Sequence, residues 1–428
     1  MTKKNILITV GGTGGHVFPA MALAKQLVEN NPSYNIFIVG GGLKSNPYFN
    51  RNEFPFQEIL CGSISLLKPI ASLKSLGRIL KGIRHSRRLI QDFAPDIVIG
   101  FGSYHTLPTL IAAKMESIPI ILHEANRIPG KVNRYLSRYA AATAVHFPDT
   151  NLRLKGKAVT AAIPLRVGYQ KGNVSKQNAL AYFKLNLKMA VQGDKVMQNF
   201  ESESLAMGVD HSLRVKATPI ASDYGSKDCV NLSPSTAVFR LNPALKTILI
   251  FGGSQGAQAI NKLAAQAIIK LPEEIRKQIQ ILHFTGDSRS QQQVEDIYKQ
   301  NHIKAVVSDF ETRMDLAWQA ADFIVSRSGA GTLAEMLEFE VPAILIPYPH
   351  ATDNHQESNA DYMVDIVGGA VKLLERELKA DKLLSVIMDF LSDDGYQLQI
   401  MQDAMKNHKM TMPSKALHML VSDMLKGK

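Results

Sequence analysis

One unit that occurs twice constrains this chain more than any other feature. A short apolar run, Ile6-Leu-Ile-Thr-Val10, leads into Gly11-Gly-Thr-Gly-Gly15 and then a helical pattern. Far along the chain, Thr247-Ile-Leu-Ile-Phe251 leads into Gly252-Gly-Ser-Gln-Gly256, and a helical pattern again follows. A strand that is apolar without alternation is buried on both faces, as in a parallel sheet covered by helices. Further short runs follow each unit, separated by helical patterns. In the first half they are Asn35 to Val39, Asp96 to Gly100, Pro119 to His123 and Ala142 to Phe147. In the second they are Ile279 to Thr285, Asp322 to Ser326 and Ala343 to Pro347. The expectation is an α/β chain of two βαβ domains. The first covers 1–166, ending at Pro164-Leu-Arg166, and the second 243–428, its last helix able to pack back on the first. A length of 428 residues exceeds one ordinary core and agrees with that division.

Residues 187–241 resemble neither half. Charges are mixed, periodicity is weak, and Ser, Gly and Pro recur. The flanks Ala181-Tyr-Phe-Lys-Leu-Asn186 and Ala237-Val-Phe-Arg-Leu-Asn242 resemble each other. This stretch reads as a solvated insertion at the interdomain connection.

The formal net charge of +11 favours anionic partners without choosing among them. Nucleic acid is not expected, because the basic residues do not interleave with aromatics. Two cysteines, Cys61 and Cys229, make neither a zinc nor a disulfide pattern and point to a reducing compartment. The apolar run at the N-terminus is too short for a signal peptide. No run approaches the roughly 18 apolar residues of a spanning helix, so membrane contact would be peripheral.

Glycines after a strand let backbone approach a ligand, and the following helix aims N–H groups at an anion. Gly11-Gly-Thr-Gly-Gly-His16 lacks the third glycine of a dinucleotide fingerprint, since Val17 occupies that place, and no Lys-Ser/Thr makes it a Walker loop. That argues against an NAD-dependent dehydrogenase. Arg327-Ser-Gly-Ala-Gly-Thr-Leu-Ala-Glu335 is a second anion-type turn. A carboxylate at Glu335, one turn into the helix, suits a ribose diol or simply complements the helix dipole. Gly102-Ser-Tyr104, His123-Glu-Ala-Asn126 and His355-Gln356 also fall at strand C-terminal ends, where open α/β sheets bind ligands. His16 closes a glycine loop at a helix start, where packing needs no imidazole.

These motifs, taken in order with Pro164-Leu-Arg166 and Gly252-Gly-Ser-Gln-Gly-Ala257, resemble the bacterial MurG family of peptidoglycan N-acetylglucosaminyltransferases. The resemblance covers nearly the whole chain outside the insertion. It implies a GT-B fold, two Rossmann-like domains facing across a cleft. It implies inverting transfer of GlcNAc from UDP-GlcNAc to the MurNAc 4-hydroxyl of undecaprenyl-diphosphate-linked MurNAc-pentapeptide. It also implies peripheral attachment at the cytoplasmic face of the plasma membrane, beside cell-wall synthesis proteins. Residue by residue, Thr13, Gly14 and Gly15 would line the cleft, and Asn126 and Arg166 would meet the donor from the N-terminal side. Ser254, the backbone near Glu311, and Ala330, Gly331, Thr332, Leu333, Ala334 and Glu335 would hold uridine and diphosphate. Glu335 would take the ribose, Gln356 the GlcNAc hydroxyls, and Tyr104 would lie on the acceptor side. His16 is the first candidate base and Glu124 the second. As departures from the family pattern, Ala125 and Ser103 stand where Gln and Gly are usual, Ile163 where Asn precedes the proline, and His355 where some members have Gln. No Asp-x-Asp cluster sits at a strand end, so no cofactor and no required metal are expected. Alternatives are another GT-B glycolipid transferase, a UDP-GlcNAc epimerase, or a membrane scaffold with weak catalysis.

Seven basic residues, Lys68, Lys74, Arg78, Lys81, Arg84, Arg87 and Arg88, follow one another without an acid until Asp92. Leu73, Leu76, Leu80, Ile83 and Ile90 recur at helical spacing, a stripe expected to pack on the sheet. Ile64, Leu66, Leu67 and Ile70 lie upstream. The one-signed charge beside an apolar loop leads to the expectation of docking on anionic lipid.

If 187–241 is a solvated insertion, joining Asn186 to Pro243 should leave a soluble, active protein, because loop closure changes by only about 0.6 kcal/mol per doubling of length. Expression and turnover of the deletion variant check this. Loss of either would mean that the segment packs into a domain or the cleft.

Overall fold

The computed structural model describes residues 3–62, 69–185, 187–188, 240–241, 245–253, 257–392, 395–412 and 415–427. Ser254, most of 187–241 and the loop residues Ile64, Leu66 and Leu67 therefore lie outside the described residues, as do the side chains of Ile70, Leu73 and Lys74.

The first sheet is built from β1 (Lys4–Thr9), β2 (Tyr34–Gly40), β3 (Phe56–Glu58), β4 (Ile97–Gly100), β5 (Ile120–Glu124), β6 (Ala142–Val145) and β7 (Ala158–Ala162). A two-residue pair, β8 (Leu187–Lys188) with β9 (Arg240–Leu241), is antiparallel and brings the two ends of the insertion together. The second sheet contains β10 (Lys246–Phe251), β11 (Ile279–Phe284), β12 (Ala305–Ser308), β13 (Phe323–Ser326), β14 (Ala343–Leu345) and β15 (Ala370–Lys372). A last short strand, β16 (Lys415–Ala416), returns to the first sheet. The orders are β16-β7-β6-β5-β4-β1-β2-β3 and β12-β11-β10-β13-β14-β15, with every pairing within both sheets parallel. The strands are apolar throughout because both faces are covered: Ile6, Leu7 and Ile8 are all buried, as are Ile248, Leu249 and Ile250.

Each sheet reverses its strand order beside its glycine-loop strand, between β1 and β4 and between β10 and β13. A crevice opens outside the strand ends at such a switch point. In the second sheet it falls between the loop after β10 and the turn Arg327–Gly329. The site motifs are thus placed by topology.

The chain passes between the sheets twice. After β7, Ile163, Tyr169, Leu180, Phe183 and Leu185 join the cluster that holds Leu249, Phe251 and Trp318 of the second sheet. The helix Lys176–Tyr182, capped by Ser175 Oγ accepting from the Asn178 amide, belongs to this arm. At the other end, the helix Leu417–Lys426 buries Leu417, Leu420, Val421 and Leu425 among Ile6, Ile8 and Leu23 of the first domain. Gln26 touches both passages, donating to Leu165 O at 3.1 Å and lying 3.4 Å from His418 Nδ1.

The helix Pro69–Phe93 corrects one expectation. The stripe was read as its packed face, but Leu76 is 44% and Leu80 59% exposed. The buried face is formed by Ile79, Gly82, Ser86 and Ile90. A side chain at Gly82 would run into Leu60 O, and Ser86 Oγ lies 3.1 Å from Thr109 Oγ1. Ile83 and Ile90 of the stripe do pack on the core, but close backbone approach selects small residues beside them, so hydrophobicity misplaced Leu76 and Leu80. Arg78, Lys81, Arg84 and Arg88 are exposed beside the two outward leucines.

Candidate active site

The C-terminal edges of the two sheets face each other and are joined across the gap. Asn359 is fully buried; its amide N–H₂ donates to Asn126 Oδ1 at 3.1 Å and to Ser328 O at 3.2 Å. Its Oδ1 accepts from the Arg127 amide at 3.0 Å. Arg127 in turn donates to Ser358 O and pairs with Asp149, and Arg134 pairs with Asp353 at 3.3 Å. Asn126 is therefore a bridge between domains as well as a candidate donor contact.

On the first side, the loop after β1 turns at Gly12 with φ +90°, and a side chain at Gly11 would meet Gly41 O and His105 Cβ at 2.6 Å. Glycine is required at both places. Thr13 and Gly15 are exposed, and the helix Gly14–Asn30 begins without a side-chain cap, leaving first-turn amides for a ligand. The His16 ring follows directly. Its Nδ1 is buried with no partner among the described residues. Burial, then the neighbouring His105 and His355, push its pKa down to about 4, so the ring is neutral throughout the neutral range. That His355 acts on it places the second domain's His355 helix close by.

Glu124 is a different case. Oε1 accepts from the Asn126 amide at 3.0 Å, and Oε2 accepts from the Gly130 amide and from Asn133 Nδ2, each at 2.9 Å. Burial raises its pKa while these donors oppose the rise. Both oxygens are occupied in shaping the loop that carries Asn126. Tyr104 is half-buried and packs on the first domain's core.

On the second side, Gly329 caps the helix Ala330–Phe339 without a side-chain bond, so the amides of Ala330, Gly331 and Thr332 remain for an anion. Arg327 is buried behind the turn, donating to Ile346 O and Pro347 O and pairing with Glu375. Ser328 Oγ donates to Gln356 O at 2.7 Å, and Gln356 Oε1 accepts from the Tyr348 amide at 3.0 Å. What Gln356 offers a ligand is therefore its N–H₂ group. Just before it, Asp353 and Asn354 both hold left-handed φ, 53° and 52°, a strained entry to the helix His355–Asp361.

Glu335 lies one turn into its helix, with Oε2 accepting from Trp318 Nε1 at 2.7 Å. Burial lifts its pKa to about 7, against the pull of Arg166 and Trp318. The Arg166 guanidinium sits over the rings of Phe18, 5.0 Å, and Tyr169, 4.5 Å, linking the first helix to the interdomain arm. Glu311 accepts from the Arg313 amide in the loop after β12, beside the exposed ring of Phe310.

Comparison with known proteins gives this cleft a lineage. The glycosyltransferase family 28 N-terminal domain matches residues 6–145 and the family 28 C-terminal domain residues 247–416. The UDP-N-acetylglucosamine--N-acetylmuramyl-(pentapeptide) pyrophosphoryl-undecaprenol N-acetylglucosamine transferase of Protochlamydia amoebophila is 39% identical, over 98% of this chain and 96% of its own length. The chain belongs to this family. Its Chlamydia felis counterpart is 29% identical over 99% of the chain and 100% of its own length. Acinetobacter baumannii MurG, 23% identical, superposes with a TM-score of 0.64 over 99% of this chain and 100% of its own, a likeness of GT-B fold.

Within the family frame, three residues were missed by sequence reasoning. Asn359 is one turn beyond Gln356, but its partners come from two distant segments, Asn126-Arg127 and Ser328. Arg127 directly follows the motif His123-Glu-Ala-Asn126, and that adjacency was the only signal for it. Trp318 is the chain's one tryptophan, the signal that could have singled it out.

Ser103 explains why glycine is usual at its position: its φ is +71°, next to Gly102 at +71°. Left-handed backbone costs a residue with a side chain about 1–2 kcal/mol, partly offset by the lower chain entropy of a non-glycine. Ser103→Gly should therefore raise the melting temperature by about 2 °C. A fall in a thermal melt would mean that the Ser103 Oγ contact to the His105 amide outweighs the strain.

Proposed function

We propose that this chain transfers GlcNAc from UDP-GlcNAc to the 4-hydroxyl of MurNAc in undecaprenyl-diphosphate-linked MurNAc-pentapeptide, with inversion. Membership of the family supports the reading. The observation that carries it chemically is a single cleft with an uncapped helix start and Glu335 on one wall and, on the other, a neutral imidazole whose Nδ1 is buried.

The diphosphate would lie on the amides of Ala330, Gly331 and Thr332, with Thr13 to Gly15 opposite. Leu333 and Ala334 carry the helix on to Glu335, which would take the ribose. The Gln356 N–H₂ would reach GlcNAc hydroxyls, and the Glu311 backbone the base. The acceptor oxygen attacks the anomeric carbon as the bond to the UDP oxygen breaks. The acceptor proton passes to His16, and the charge developing on UDP meets helix amides already oriented toward it. Glu124 is the weaker candidate base because both its oxygens already accept hydrogen bonds. His16→Ala should lower kcat by roughly 10²–10⁴ with a much smaller change in the KM for UDP-GlcNAc. Nearly normal kcat would remove His16 from proton transfer.

The catalytic step is proposed to need no metal, since fixed amides meet the leaving group's charge. Turnover measured in excess EDTA should equal that without it. Restoration of a lost rate by Mg²⁺ would overturn this part of the reading.

The acceptor's lipid requires a surface that reaches the bilayer. Among the described residues no helix is long and apolar enough to cross a membrane. The outer face of Pro69–Phe93 combines exposed Leu76 and Leu80 with Arg78, Lys81, Arg84 and Arg88, and exposed Met115 lies beside it. This face is proposed to dock on the anionic cytoplasmic leaflet, at about 1 kcal/mol per basic residue near the surface. Cell-wall synthesis proteins would be neighbours there. Changing Lys74, Arg78, Lys81 and Arg84 to Gln should abolish co-sedimentation with anionic vesicles at moderate salt. Retained binding would move the membrane face elsewhere.

A further inference from the structure

Trp318 is buried, and its ring is held on two sides: it stacks on Phe339 at 6.0 Å and 8° and meets Phe251 edge-on at 5.7 Å. A ring so confined has one position for its N–H, and that N–H points at Glu335 Oε2 at 2.7 Å. An indole can only donate, so it selects and orients a carboxylate oxygen. Packing alone does not ask for this, because an apolar ring would fill the same space without placing a polar atom against an acid. The arrangement fixes one oxygen of Glu335, one turn into the Ala330–Phe339 helix, and the other oxygen accepts no hydrogen bond among the described residues. Two adjacent hydroxyls, as in a ribose, need a carboxylate held at one angle.

We propose that Trp318 is a positioning residue for the donor, holding Glu335 so that the site distinguishes a ribose from a 2′-deoxyribose. The proposal rests on the reading that Glu335 takes the ribose. It adds that discrimination depends on an N–H that never touches the substrate. The groups facing Glu335 are Trp318 from its own domain and Arg166 from the interdomain arm; Tyr169 and Asp315 stand next to these, Asp315 paired with Arg313.

The pH dependence follows in sign. The carboxylate binds the diol as an anion, and burial sets its pKa near 7, so donor affinity rises as pH rises through that range. Trp318 stabilises the ionised form. Its removal therefore moves the midpoint to higher pH.

The test compares kcat/KM for UDP-GlcNAc and its 2′-deoxyribose analogue. Glu335→Ala should remove most of the discrimination, with KM for UDP-GlcNAc up roughly tenfold or more. Trp318→Phe should lower the ribose-to-deoxyribose ratio at least about threefold and shift the pH midpoint upward; adding it to Glu335→Ala should change the ratio no further. Because the chain has one tryptophan, biosynthetic replacement by benzothienylalanine removes the N–H alone and keeps the ring, which guards against a misfolded Phe variant. Equal loss for both donors with an unmoved midpoint would overturn the role of Trp318 and leave that of Glu335. An unchanged ratio in Glu335→Ala would overturn the ribose reading itself, and Trp318's role with it.

Discussion

The cleft depends on one buried side chain, Asn359, which satisfies groups from both domains at once. It donates to Asn126 in the first domain and to Ser328 O in the second, and it accepts from the Arg127 amide. A buried polar group without partners costs about 1–3 kcal/mol, so these bonds favour one relative placement of the two loops. The consequence is chemical. Asn126 is tied to Glu124 and hence to the loop at Gly130, while Ser328 is tied to Gln356 and opens the anion-type turn. The Asn126 loop and the Ser328 turn thus share one hydrogen-bonded seam, and movement of either is felt by the other.

Burial gives the two walls opposite protonation behaviour. Desolvation disfavours whichever form is charged. It therefore keeps His16 neutral while lowering its affinity for a proton, and it lifts Glu335 to near neutrality, where a ligand or a neighbour decides its charge. The same cause leaves one group unprotonated through the neutral range and the other responsive to Arg166 and Trp318. Glu124 is more deeply buried and accepts three hydrogen bonds, which makes that carboxylate a clamp on its loop.

Much of the fold was legible because parallel strands must be apolar on both faces. The runs at Ile6 and Thr247 could only be central strands, and the glycine loops after them marked the switch points. The positions of the turn at Arg327 and of the histidine after the first loop, both at strand C-terminal ends, were legible for the same reason. The inner face of the helix Pro69–Phe93 was legible at Ile83 and Ile90 and not elsewhere, because the structure selects the rest by size, through Gly82 and Ser86, and hydropathy ranks Leu76 and Leu80 above both. Nor was the seam at Asn359, whose partners Asn126, Arg127 and Ser328 become neighbours only once two domains are packed. Local pattern carries periodicity and turn chemistry; it does not carry which polar atoms meet across a cleft.

The double passage of the chain bears on how such a cleft could close. The arm after β7 packs on the second domain, while the helix Leu417–Lys426 packs on the first, so two covalent connections run side by side. Gln26 touches both, through Leu165 O and His418. Two parallel connections resist translation of one sheet away from the other but permit rotation about the line joining them, which is hinge geometry. Rotation about Gln26 would change the separation of the helix starts at Gly14 and Ala330 more than it would disturb either core. A diphosphate bridging those two starts would then be what favours the closed arrangement, through contacts it makes fully only there. Both helices that would meet such a phosphate begin at the cleft, and the Gly14–Asn30 helix also carries Gln26, which touches both connections.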